Sequence, residues 1–154
     1  MDAAWTLDGS MRTVASVLFG TTIELDNVDG AHDEYVASCV ALFNALPDAT
    51  TEHLYRASIR YCTDYLDAIG QPQQAFATPR DVLTQIHPVA LVIPPPDDRS
   101  FASQATEPVV NLVAGCTWDI EHGINWLVRG DHVLYVGPNG ESDPWSTASQ
   151  GGYA

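Results

Sequence analysis

The side chains best suited to chemistry stand in one octapeptide, Cys116-Thr117-Trp118-Asp119-Ile120-Glu121-His122-Gly123. Two kinds of chemistry are open to it. Cys116, Asp119, Glu121 and His122 are all metal-ligand types, and zinc takes three or four such ligands converging at about 2.0–2.3 Å. Metal sites usually draw on a second cluster, whereas His32, His53, His87 and His132 are scattered one to a segment. No metal and no other cofactor is therefore expected. Glu121 and His122 are also the candidates for a general acid–base pair, which needs a cleft and a nucleophile or substrate anchor. The sequence has no Gly-x-Ser-x-Gly elbow, no phosphate loop and no HExxH helix to supply one.

A structural reading weighs more. Asp119 can accept backbone N–H groups in a turn, as Asx residues do. Glu121 and His122 can pair with each other or with Arg129 on the neighbouring strand. Gly123 supplies a backbone shape that other residues resist, and Trp118 and Trp126 can anchor a sheet face to helices. On this reading Cys116, Trp118, Asp119, Glu121, His122 and Gly123 specify a corner between strands. The same exposed turn can also bind a partner.

The elements that position the corner are set by periodicity and breakers. Residues 12–26 read as two short strands around Gly20. Helices are expected over about 31–46, with Asp29 as cap and Pro47 as stop, and over about 51–69, with Thr50 as cap and Gly70 as stop. Val36, Cys39, Val40, Phe43 and Leu46 form the buried stripe of the first; Leu54, Ser58, Tyr61, Cys62, Tyr65, Leu66 and Ile69 form that of the second. Helices joined by so short a loop are expected to pack as an antiparallel pair. Thr78-Pro79-Arg80-Asp81 is a strong start signal for a short helix over 79–86. The apolar run 89–93 reads as a central strand, and a Pro-rich loop reaches to about 106.

Strands at 108–117, 123–129 and 132–137 form a β-meander, with a tight turn at Gly130-Asp131. In it Val110, Leu112, Ala114 and Cys116 share a face, as do Ile124, Trp126 and Val128, then Val133 and Tyr135. The fold class is thus α+β: an antiparallel sheet packed against a helix pair. Residues 1–140 are read as one domain and 141–154 as a loose tail.

Charge bounds the partners. The chain has 20 acidic residues and 6 basic ones, for a formal charge of −14, and every basic residue is Arg. Such a surface repels nucleic acid and anionic lipid, both of which are gripped by neutralising phosphate. It attracts a basic protein. Acid excess can equally reflect a saline host or a genome poor in Lys codons. The three cysteines, Cys39, Cys62 and Cys116, read as small buried hydrophobes, with a Cys39–Cys62 bridge as the alternative. No stretch approaches the roughly 20 apolar residues of a membrane span. MDAAWTLDGS lacks the features of a secretory leader, so a cytoplasmic location is expected.

The segment CTWDIEHGINWLVRGDHVLYVG resembles the C-terminal signature of a bacterial family of domains of unknown function. That signature is Cys-x-Trp-Asp-x-Glu-His-Gly, then strand, turn and strand. Tyr61, Tyr65, Thr78, Pro79, Asp81 and the strand at 89–93 fit its looser upstream pattern. The resemblance implies kinship with proteins from toxin and immunity gene neighbourhoods, and it implies no enzyme activity. The expectation is an acidic protein-binding domain, of the kind that neutralises a basic toxin through Asp97, Asp98, Asp119, Glu121 and Asp131. The alternative is a small metal-dependent or acid–base enzyme using Asp119, Glu121 and His122.

Overall fold

The computed structural model describes residues 5–8, 11–26, 33–94, 107–140 and 151–154. Among them, seven strands form one sheet in sequence order: β1 (Trp5–Asp8), β2 (Met11–Ser16), β3 (Thr21–Asp26), β4 (Ile86–Val92), β5 (Val109–Cys116), β6 (Ile124–Arg129) and β7 (His132–Gly137). Every neighbouring pair is antiparallel except β3 and β4, which run parallel. A parallel neighbour requires a long crossover. Here it consists of α1 (Asp33–Asn44), α2 (Asp48–Ala68) and a 3-10 helix (Pro79–Gln85). The α+β class and the C-terminal meander stand as expected. The strand at 5–8 and the parallel joint were not foreseen.

α1 buries Val36, Cys39, Val40 and Phe43, each at most 2% exposed, because they recur at helical spacing along one side. α2 buries Leu54, Ser58, Tyr61, Cys62 and Leu66 on its own inward side. Ser58 is tolerated there because its hydroxyl is fully used. It donates to the Leu54 carbonyl (2.7 Å) and accepts from Trp126 Nε1 (2.9 Å), which ties α2 to β6. The three cysteines are free thiols, so the alternative bridge between Cys39 and Cys62 is not made.

Several boundaries move for physical reasons. α2 starts at Asp48, directly after Pro47, and Asp48 suits the positive end of the helix. Thr50 is therefore no cap: its hydroxyl donates to the Asp131 carbonyl (3.1 Å) and pins α2 to the β6–β7 turn. The expected helix at 79–86 is a 3-10 helix. It is closed by the bonds Thr78 N–H to Asp81 Oδ2 and Asp81 N–H to Thr78 O, both 3.0 Å. β4 begins three positions before the expected strand and accommodates Pro88 beside a bulge.

β7 corrects the expected alternation. Val128 pairs with Val133 but Leu127 pairs with Tyr135, so Leu134 is an extra residue on β7. One inserted residue reverses the face of every later side chain on the strand. Val133 and Val136 pack on the helix-facing core, and Tyr135 instead stands opposite Leu127. Asn125 and Leu127 on that other face are also buried, at 4% and 1% exposure. No helix among the described residues is long and apolar enough to cross a membrane.

The expected loose tail spans 141–154. Residues 141–150 lie outside the described residues, but Tyr153 packs against the core beside the β7 edge. Its N–H donates to the Val136 carbonyl (2.7 Å) and its ring stacks on Tyr61 at 5.4 Å.

Candidate functional site

The corner 117–123 joins β5 to β6, and its backbone turns around one side chain. Asp119 accepts the His122 N–H on Oδ1 (3.1 Å), and its carbonyl accepts the Gly123 N–H (2.9 Å). The His122 ring sits with Nδ1 3.1 Å from both carboxylate oxygens. From α2, the Tyr61 hydroxyl lies 2.9 Å from Asp119 Oδ2 and 2.9 Å from the Gly123 carbonyl, and its single proton is shared between them. The Cys116 thiol donates to the Asp119 carbonyl at 3.5 Å. Thr117 ties the start of the corner to Gln85 through its N–H (3.0 Å) and hydroxyl (2.6 Å).

Gly123 is required at the exit. Its φ is +65°, and a Cβ there would press into the Ala114 carbonyl oxygen and come 2.9 Å from Asn139 Nδ2. Tyr61 is the hub on the helix side. Trp118 meets it edge-on at 5.5 Å, Tyr65 edge-on at 6.4 Å, and Tyr153 lies stacked over it.

The electrostatics reflect this packing. Burial raises the Asp119 carboxyl, but the hydrogen bonds from Tyr61 and His122 outweigh it, and the group sits below the usual carboxylate range. Burial, with the bond to Asp119, pushes the Tyr61 phenol far up. Burial likewise lifts the Cys116 thiol to about 11. Cys116 is thus a neutral packed thiol, not a thiolate. Among the described residues no three His, Cys, Asp or Glu side chains are grouped so as to hold a metal ion.

The expected site residues separate into distinct places. Asp119 is 3% exposed and its acceptors are occupied, so it offers little charge to a partner. Glu121 and Ile120 project outward, Ile120 at 89% exposure. His122 pairs with Asp119 rather than with Glu121 or Arg129. Asp131 is exposed at the far end of β6, roughly 20 Å along the strand from Glu121. The structure therefore does not gather Glu121 and Asp131 into one site. Asp97 and Asp98 lie outside the described residues.

An open groove of about 910 Å³ runs beside the corner, between the end of α2 and residues 71–74. Tyr65, Ile69 and Pro72 line one wall, and Trp118, Ile120 and Glu121 the other. Ile69, expected in the buried stripe of α2, is half exposed here because the helix ends at it. Trp118 Nε1 is buried without a hydrogen-bond partner among the described residues. His122 does not line the groove. The partners of the Tyr61 hydroxyl and the Tyr153 cap are not legible in the sequence. The tyrosine at helical spacing is a signal of burial, and nothing in the spacing says where its hydroxyl goes.

A family model described as a domain of unknown function (DUF6985) matches residues 2–142. No curated protein and no solved structure matches the chain.

Proposed function

We propose, for a chain that belongs to the DUF6985 family of domains of unknown function, that it acts as an acidic protein-binding domain of the immunity type, neutralising a basic toxin in the cytoplasm. The observation that carries this reading is the division of labour in the corner. Asp119 and His122 satisfy each other within the turn, while Ile120 and Glu121 stand out along the rim of an open groove. Apolar knobs beside a carboxylate, on a chain of charge −14, suit a cationic surface with apolar patches. An acidic face of this kind can mimic the phosphates that a basic nuclease grips. Asp97, Asp98 and Asp131 would extend the field that steers the encounter.

The test is co-purification from the source organism, then titration of the purified partner. A single basic protein in a salt-sensitive complex supports the reading. No partner, or a complex indifferent to high salt, rejects it.

One observation favours the alternative, a small acid–base enzyme. Buried Asp119 holds His122 Nδ1, as an orienting carboxylate holds a catalytic base. Against it, the imidazole does not face the groove. A His122→Ala chain that keeps its fold but loses a measurable hydrolytic activity would favour the enzyme.

A further inference from the structure

The segment Gly151-Gly152-Tyr153 occupies a site of specific chemistry on the other side of Tyr61. Three features of the host define it. The β7 edge offers the Val136 carbonyl, which accepts the Tyr153 N–H at 2.7 Å. α2 offers Arg60, whose Nε and Nη2 both donate to the Tyr153 carbonyl, at 3.2 and 2.6 Å. One turn further, Asp64 Oδ2 accepts the Tyr153 hydroxyl at 2.6 Å. The aromatic ring lies flat on Tyr61, at an interplanar angle of 16°.

The site also reads the residue before the tyrosine. Gly152 has φ +73°, and a Cβ there would come 2.6 Å from the Val136 carbonyl oxygen and 2.8 Å from the Tyr135 ring. Gly151 has φ +78°. Only glycine takes this path without strain. The Asp64 carboxylate favours a phenol over a phenyl ring by the one hydrogen bond it accepts, a modest preference because Asp64 is exposed and water can replace the donor.

We infer that the cleft between β7, Arg60 and Asp64 is a peptide-recognition site for a Gly-Gly-Tyr segment that turns through two left-handed glycines. The chain's own residues fill it, and a partner presenting the same segment would displace them. The recognition mode is one main-chain bond to the open edge of β7, with Arg60, Asp64 and the Tyr61 ring reading the tyrosine. A contact this small is weak when untethered, with affinity on the order of millimolar, the effective concentration that a short tether supplies. Its occupant matters beyond the cleft, because Tyr61 carries the stacked ring on one face and the bond to Asp119 at its hydroxyl.

The test uses the full chain carrying Tyr153→Ala, which leaves the cleft without its ring. The peptide acetyl-Ser-Gln-Gly-Gly-Tyr-Ala-amide is titrated in, and the amide resonances of Arg60, Tyr61, Asp64 and Val136 are monitored by NMR. The expected result is saturable shifts at those positions and binding at least about twofold tighter than to the unmodified chain, where the tethered segment competes at its effective concentration. A peptide with the second glycine replaced by alanine should not bind. The Tyr153→Phe chain keeps the ring and loses only the Asp64 bond, so the peptide should compete into it more readily than into the unmodified chain. Equal binding to all three chains, equal binding of the alanine peptide, or no shifts at Arg60 and Asp64 in either variant would overturn the assignment.

Discussion

The Tyr61 hydroxyl stands 2.9 Å from Asp119 Oδ2. This contact joins the middle of α2 to the corner between β5 and β6, and it fixes what the corner can do. A carboxylate that accepts from Tyr61, from the His122 N–H and from the His122 ring has little acceptor capacity left for a ligand. The corner is a buried polar network whose members satisfy each other, and such networks are costly to leave half made.

Asp119→Asn should therefore destabilise the fold by about 2–4 kcal/mol, because it puts an amide N–H₂ where donors already point. Tyr61→Phe should cost about 1–3 kcal/mol by removing one donor. His122→Ala should cost within about 1 kcal/mol, since the imidazole side chain is 58% exposed. Urea denaturation of the three variants checks the order. A His122 variant that is the most destabilised of the three would contradict it.

The pH dependence has a definite sign. The folded-state value for Asp119 lies below the ordinary aspartate value of 3.8. Its contribution is complete above that ordinary value and is lost as pH falls through the depressed folded value. The gap in stability between the unmodified chain and Asp119→Asn should narrow as pH drops below about 4 and stay constant at neutral pH. Denaturation curves collected across that range give the answer.

Two glycines with nearly the same backbone angle should respond differently. Gly20→Ala, at φ +64° with nothing within 4 Å of the added Cβ, should cost about 1–2 kcal/mol. Gly123→Ala adds a collision with the Ala114 carbonyl to the same strain, and should cost at least about 3 kcal/mol. Melting temperatures of the pair separate backbone strain from packing.

The thiols should be silent. Burial raises Cys39, Cys62 and Cys116 above their ordinary values, so no thiolate is available at neutral pH. An aromatic disulfide reagent should find no reactive thiol in the native chain and all three in denaturant. Rapid native labelling of Cys116 would contradict its packed position.

Period and punctuation encode local structure, and that sets how far the sequence could be read. The stripes of α1 and α2, the capping box at Thr78 and Asp81, and the strand–corner–strand around Gly123 are local signals, and they place the elements. The face of Tyr135 was not legible, because one extra residue at Leu134 reverses the alternation and no side chain announces a bulge. The parallel pairing of β3 with β4 is set by a crossover, not by either strand's own residues. The partners of Asp119 were half legible. An Asx turn predicts the bond from His122, three residues on, whereas the bond from Tyr61 spans 58 positions and needs the packed core to exist. The Tyr153 cap was hidden for the same reason, since GGY reads as a loose end until Arg60, Asp64 and Val136 are seen around it.

The measurement closest to the central claim is calorimetric titration of the purified partner against the unmodified and Glu121→Arg chains, at about 0.1 M and about 1 M salt. If the corner is a scaffold that presents negative charge, affinity falls at least about tenfold at high salt, and Glu121→Arg costs at least about tenfold at low salt with an unchanged melting temperature. Affinity indifferent to both salt and charge reversal would contradict the account.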